Sequence, residues 1–438
     1  MAKVLWLGDA GTHTGFSQVT HHIGERLVDM GHEVVVLAVG YKGDSPDSFI
    51  RPGEQTNLRL FPTTAWNPKD VYGNTRILEM FSRFESDVVV MLNDPQIILS
   101  QLFENVYDQQ RVLLQARPII AYIPCDGDNL PPPWTEILPQ VTNVVAMSEW
   151  GQSKYPGSQL VYHGVDPLYW PVAEKPITIS SGEVLRSKRD CKRALNFDPD
   201  GFLVLRVDSN SGRKDMAATI RAVAPLMARH PDMQLHLHCD PGKLTAYGTN
   251  LKQMLTRFPE IDPAKRVYFP ETVPLEGALG WKQQDLNALY NAADVFISTS
   301  RGEGFGLTIA EALACGVPVV AQNVSAIPEV VGPGGILIEP AAMLTVPSGE
   351  DVWLADVDGF TAALERLYQS AGLRRDLGAA GRRHAVESFS WDAAAARFDE
   401  FIVAAKKHSD SMPEEATSDG SRPDRHGDRN RGAKRHKR

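Results

Sequence analysis

Two carboxylates, Glu303 and Glu311, bracket the run Gly304-Phe305-Gly306-Leu307-Thr308. Glycine at 304 and 306 lets the backbone approach a ligand closely, because no Cβ intervenes. The amides of Leu307 and Thr308 then open a helix. A helix start offers unpaired N–H groups and the positive end of the peptide dipoles, a combination suited to a diphosphate. Glu303 lies in the loop before the helix and Glu311 about a turn and a half into it. The two can therefore grip different parts of one elongated ligand. Ionised carboxylates accept paired hydrogen bonds, which the neighbouring hydroxyls of a sugar or ribose supply.

Other groups invite chemistry less strongly. Asp126 and Asp128 have the D-x-D spacing of a divalent-cation site. A turn carboxylate, or an acceptor contact at Asp126, is the better reading, since nothing else in the chain matches a fold built around such a pair. His236, His238 and Asp240 could suggest zinc, but a plain strand running into the Pro241-Gly242 turn accounts for them. The stretch from Gly8 to Gly15 is too loose for a dinucleotide fingerprint. Cys125, Cys191, Cys239 and Cys315 are scattered with no C-x-x-C pair, the pattern of free thiols in a reducing compartment.

The elements that must position these residues are short apolar runs alternating with helical spacing. Val4 to Leu7 and Val34 to Val39 have the character of buried parallel strands. Between them Phe16, Val19, Ile23, Leu27 and Met30 recur at helical spacing, with Gly31 as the stop. Val88 to Leu92, Pro118 to Ile123, Val144 to Met147 and Gln159 to Tyr162 continue the series. A second series follows: strands at Phe202 to Val207, Met233 to His238, Val267 to Phe269, Val295 to Ser298 and Val317 to Ala321, with a helix at Met216 to Arg229. Strand–helix alternation implies doubly wound parallel sheets. The polar stretch Pro171 to Pro199 marks a junction between two Rossmann-like domains, expected at 1–170 and 171–387. Ser390 can cap a last helix from Trp391 to about Lys407, so 388–408 form a C-terminal helical segment expected to pack back toward the first domain.

The 438 residues exceed what one ordinary core needs and carry a formal charge of −9. Residues 409–438 hold eight Lys or Arg against six Asp or Glu, a surplus of two, which leaves −11 on the rest. So acidic a body argues against nonspecific nucleic-acid binding. The tail has few apolar residues and is expected to be disordered; its basic end, Lys434 to Arg438, leans weakly toward an anionic acceptor. No apolar run reaches the length of a membrane span, and no signal peptide is apparent. The expected setting is the cytoplasm.

The run from Ser300 to Pro318, continuing to Ile327-Pro328-Glu329, resembles the family-4 retaining glycosyltransferases (group 1) of the GT-B fold. Gly31-His32-Glu33-Val34, His163-Gly164-Val165-Asp166 and Leu289 to Asp294 support the likeness in the expected order. The resemblance implies two Rossmann-like domains facing each other across a cleft that takes a nucleotide diphosphate sugar. It implies that Glu311 binds the ribose and that Glu303, with the backbone at Gly304, Phe305 and Gly306, contacts the transferred sugar. Arg213 and Lys214 stand where the family keeps its phosphate-binding pair and would neutralise the leaving diphosphate. Gly15 and Phe16 would approach the donor phosphates, and Thr272 and Val273 would lie beside the base.

Two departures stand out. Only Gly15 with Phe16 occupies a turn where many relatives carry two glycines. Asp126 follows the strand after which many carry a histidine, and is the candidate to touch the sugar or acceptor there. The implied donor is a UDP- or GDP-sugar, with no cofactor and no required metal. The acceptor is open among protein, lipid, glycan, small molecule and modified DNA. Rival readings are an inactive nucleotide-sugar-binding protein, a sugar-nucleotide epimerase, and a phosphorylase that would need pyridoxal phosphate.

Overall fold

The computed structural model describes residues 1–438 apart from 13, 42, 44–55, 66–68, 75, 105–116, 137–140, 243–247, 271–280 and 411–438. Thr272, Val273 and nearly all of the tail therefore lie outside the described residues.

The first lobe is built on seven strands: β1 (Lys3–Asp9), β2 (Glu33–Val39), β3 (Arg59–Pro62), β4 (Val88–Leu92), β5 (Ile119–Ile123), β6 (Asn143–Ala146) and β7 (Gln159–Leu160). They pair in the order β3-β2-β1-β4-β5-β6-β7, every pair parallel. The interiors of β1, β2, β4 and β5 are buried, as continuous apolar runs require in a sheet covered on both faces. Helix α1 (Gly15–Asp29) starts where Thr14 accepts a hydrogen bond from the Ser17 amide. It stops before Gly31, whose φ of +94° is the left-handed conformation that ends a helix. Strand β3 was not legible in the sequence: it is four residues long, only half-buried, and closes on a proline.

The junction stretch is more ordered than its polar composition suggests. It holds a hairpin of β8 (Ile177–Thr178) and β9 (Val184–Leu185) and a helix, Lys188–Ala194, capped by Ser187. Lys192 is buried there, and its Nζ donates to Asp294 Oδ2 at 2.7 Å. A charged residue is tolerated because its partner waits inside.

The second lobe carries β10 (Phe202–Val207), β11 (Met233–His238), β12 (Val267–Tyr268), β13 (Val295–Ser298), β14 (Val319–Gln322) and β15 (Gly335–Ile338), in the order β12-β11-β10-β13-β14-β15. A hairpin of β16 (Ala342–Thr345) and β17 (Asp351–Leu354) follows. In each sheet the order reverses between two central strands, β1 and β4 in one, β10 and β13 in the other. The crevices above the carboxyl ends of those strands are where such sheets bind ligands.

The closing helix, Trp391–Asp410, returns to the first lobe. Phe398 meets Trp6 at 5.7 Å and Tyr122 at 5.0 Å between ring centroids. Arg26 donates to Asp392 at 2.6 Å, His32 Nε2 lies 2.7 Å from Asp399, and Lys406 donates to Asp87 at 2.9 Å. Among the described residues no helix is long and apolar enough to cross a membrane.

Candidate active site

The glycine-rich loop leaves β13 and is pinned at both ends. Arg206, fully buried, donates to Ser300 Oγ at 2.7 Å, and the Glu303 amide donates to Ser325 Oγ at 2.8 Å. Gly306, at φ +105°, turns the chain into the helix Leu307–Ala314, whose start no side chain caps. A Cβ added to Gly15 would stand 3.3 Å from Leu307 Cδ1. The starts of α1 and of Leu307–Ala314 thus face each other across the lobes, and their dipoles converge on one place. Asp9, bonded by the Thr12 and Thr14 hydroxyls and the Gly11 amide, fixes the loop before Gly15.

Gly304, read in the sequence as opening the backbone to a ligand, and Gly302, given no role there, both make a contact between the lobes. A Cβ on Gly302 would lie 1.7 Å from the Asp126 carbonyl oxygen, and one on Gly304 would lie 2.4 Å from Pro124 Cβ. These glycines let the loop lie against the first lobe's Pro124–Asp126 segment. Phe305 likewise turns its ring away from the loop, packing 4.9 Å from His163 and 5.1 Å from Phe389. Only its backbone is left to face a ligand.

Arg213 and Lys214 reach this loop from the turn before the helix Met216–Arg229. Asp215 caps that helix from a left-handed conformation, φ 43°, costly for a residue other than glycine. Arg301 holds it there, with Nη2 3.0 Å from Asp215 Oδ2. Lys214 Nζ donates to both Glu303 oxygens, at 2.7 and 2.8 Å, and lies 3.0 Å from Asp208 Oδ1. Arg213 Nη1 donates to Glu303 Oε2 at 3.0 Å and to the Gly302 carbonyl at 2.6 Å, while its Nε lies 3.1 Å from Asp126 Oδ2. Burial alone would raise the Glu303 carboxyl, but Lys214 and Arg213 outweigh it and hold the group well below the usual range. Asp126 goes the other way: burial lifts it, Glu303 adds to the lift, and Arg213 only partly opposes.

Glu311 is enclosed. Tyr290 Oη donates to its Oε2 at 2.6 Å, and burial, with Asp166 nearby, raises the carboxyl to about 7. Asp166, of the His163-Gly164-Val165-Asp166 signature, lies 3.4 Å from His22 Nε2 and accepts from Gln283 at 3.2 Å, so it touches both lobes. The two aspartates of D-x-D part company: Asp126 turns to Arg213 and Asp128 to Lys154. His236 Nε2 lies 3.3 Å from His238 Nδ1, and burial lowers the pKa of both rings. Among the described residues no group of three His, Cys, Asp or Glu is arranged to hold a metal ion.

Several participants were given no role in the sequence, although Tyr290 and Glu329 stand in segments that carried the resemblance. Asp94, just past the end of β4, is raised to about 6 by burial and then by Asp126. Asp208 anchors Lys214, and Tyr290 anchors Glu311. Glu329 accepts from the Glu149 and Trp150 amides at 2.8 and 3.0 Å and from Tyr162 Oη at 2.7 Å, clipping the lobes together. No local spacing announces these, because the loops that meet here are far apart in sequence. The one usable signal was position, a polar residue at the carboxyl end of a central strand, as at Asp94 and Asp208.

Residues 202–370 match the model of the family "Glycosyl transferases group 1". The MMP α-(1→4)-mannosyltransferase of Mycolicibacterium hassiacum is 45% identical over 118 residues, 27% of this chain and 26% of that protein. A D-inositol 3-phosphate glycosyltransferase of Thermomonospora curvata is 31% identical over 256 residues, 56% of this chain and 53% of that protein. The chain thus spans about half, or less, of the length of these curated relatives. The solved sucrose-phosphate synthase of Thermosynechococcus elongatus superposes with a TM-score of 0.66 at 19% identity, covering 92% of this chain and 99% of that one. Anabaena HepE in complex with UDP and glucose gives 0.65 at 18%, covering 92% and 100%. These likenesses show that the two facing sheets form a GT-B fold.

Proposed function

We propose that this chain, which belongs to the glycosyl transferases group 1 family, transfers a hexosyl unit from a UDP- or GDP-sugar to an acceptor hydroxyl with retention at the anomeric carbon. The observation that carries the reading is the pairing of Arg213 and Lys214 with Glu303 beside two converging helix starts. Such a place is equipped for a diphosphate and for the charge that grows on it as the bond to the sugar breaks.

In this reading the helix starts at Gly15 and at Leu307–Thr308 receive the diphosphate. Arg213 and Lys214 turn part of their charge from Glu303 to the phosphate oxygens. Glu303, relieved of one cation, accepts from sugar hydroxyls, and Glu311 accepts from the ribose. Thr272 and Val273 flank the base. The acceptor oxygen attacks the anomeric carbon on the face that the diphosphate leaves. The C–O bond to phosphate breaks as the new C–O bond forms, and the acceptor proton passes to the departing phosphate oxygen. No carboxylate is needed as a covalent nucleophile. We place the division between lobes at Pro171, with 388–408 serving the first lobe.

Donor binding is tested by thermal shift of the full chain with UDP, GDP and the free nucleosides. A diphosphate at a hundred times its dissociation constant should add about 2.7 kcal/mol of stability, and the matching nucleoside far less. NMR of the new anomeric centre should show retention; an inverted product refutes the mechanism.

A further inference from the structure

Beside the donor loop, carboxylates come near one another from three separate segments. Asp94 lies just past the end of β4, after Asn93, and its side chain does not cap the short helix Pro95–Leu99 behind it. Asp126, after β5, borders the donor loop itself: its Oδ1 would stand 3.3 Å from a Cβ on Gly304. Glu350 comes from the other lobe, on the turn between β16 and β17. Its Cγ would lie 2.9 Å from a Cβ on Gly127, so the side chain rests on that glycine.

The hairpin that carries Glu350 is fastened in place. Asp128 and Asp351 exchange both main-chain hydrogen bonds at 2.8 Å, and Asn129 Nδ2 donates to Asp351 Oδ2 at 2.7 Å. Trp150 and Trp353 meet edge-on at 5.8 Å. Glu350 is therefore brought to Asp126 by a built contact, yet its Oε2 is shut off from solvent and has no hydrogen-bond partner among the described residues. A buried acceptor left unpaired is costly, which points to a group that arrives to donate to it. Electrostatics agree: Asp126 and Glu350 both push Asp94 upward, so the three carboxyls sense one another, and Arg213 is the cation that opposes them.

Resting on the donor reading above, we infer that Asp94, Asp126 and Glu350 line the acceptor subsite, and that it takes a neutral polyhydroxylated acceptor, a sugar or polyol, in preference to a phosphorylated one. Hydroxyls donate, and carboxylates are the strongest acceptors available to them. A phosphate placed here would meet like charge on three sides, with one arginine already engaged by Asp126 and Glu303. This is the opposite of what the basic tail suggests.

The test uses the full chain, UDP-glucose and GDP-mannose as donors, and matched acceptors: myo-inositol with inositol 3-phosphate, and glucose with glucose 6-phosphate. Products are read by mass spectrometry, and UDP and GDP affinities are measured separately. The neutral member should be used with kcat/KM at least ten-fold above its phosphorylated partner. Asp94→Asn and Glu350→Gln, on different lobes, should each raise the acceptor KM about ten-fold and narrow that preference, with nucleotide Kd within about two-fold. Transfer to the phosphorylated members, or to neither, overturns the inference, as does an unchanged acceptor KM in both variants. If neither UDP nor GDP binds, the donor reading fails first and takes this one with it.

Discussion

Replacing Glu311 by glutamine should make the protein more stable and less able to hold its donor. The carboxyl is held at about 7 rather than its ordinary 4.5, chiefly by burial. The folded state therefore binds this proton more tightly than the unfolded chain does. The resulting cost to stability is slight below pH 4.5, grows between 4.5 and 7, and is fully present above 7. At 1.36 kcal/mol per pH unit it reaches about 3 kcal/mol. Glutamine stays neutral, has nearly the same shape, and can still accept from Tyr290. Its advantage should be about 1 kcal/mol at pH 5 and about 3 kcal/mol at pH 8.5 by the same linkage. In calorimetry the lobe that carries Glu311, about 200 residues, should melt about 6–12 °C higher at pH 8.5, at roughly 2–4 °C per kcal/mol for a unit of that size. Titration with the better of UDP and GDP should show about ten-fold weaker binding, the scale of one hydrogen bond to a charged group. A variant that melts no higher than wild type at pH 8.5, or gains equally at both pH values, refutes the reasoning.

Two other perturbations separate chemistry from architecture. Lys214→Ala should lower kcat by about two to three orders of magnitude, the scale of losing one transition-state donor, with nucleotide affinity falling much less; equal losses in both would move Lys214 to ground-state binding. Gly302→Ala sets a methyl against main chain where the space is 1.7 Å, so it should part the lobes, cut kcat at least about ten-fold and destabilise by about 1–3 kcal/mol; wild-type melting and turnover would show that the contact yields freely.

The parts of the site legible in sequence are those whose geometry is local. The spacing from Glu303 to Glu311 carries a loop, a helix start and two carboxylates within one stretch, so both chemistry and position could be read together. Periodicity likewise exposed β1, α1 and β2, because each is a continuous apolar run or a full helical face. What escaped depends on distant segments meeting. Glu303 reads as a free hydroxyl-binding carboxylate until Lys214 and Arg213 are seen on both its oxygens. Gly304 reads as a ligand-facing glycine until Pro124 arrives against it. Lys192 reads as surface charge in a polar linker until Asp294 is found beneath it. Composition also misled at the junction, where short strands and a capped helix carry too few apolar residues to announce themselves.

The return of Trp391–Asp410 to the first lobe has a consequence for how the protein is made. The ribosome delivers β1 to β7 first, yet the ring of Phe398 that covers Trp6 and Tyr122 arrives nearly three hundred residues after Tyr122. Throughout that interval the amino-terminal sheet is a partner in waiting, with apolar rings uncovered and open to chaperones or to neighbouring nascent chains. The segment from β10 to β15 has all its strands within one uninterrupted stretch and can be complete while the earlier lobe still lacks its last helix. Synthesis order and completion order are thus reversed. A nascent chain arrested before Trp391 should retain protease-sensitive sites in its first 170 residues that vanish once translation passes Asp410.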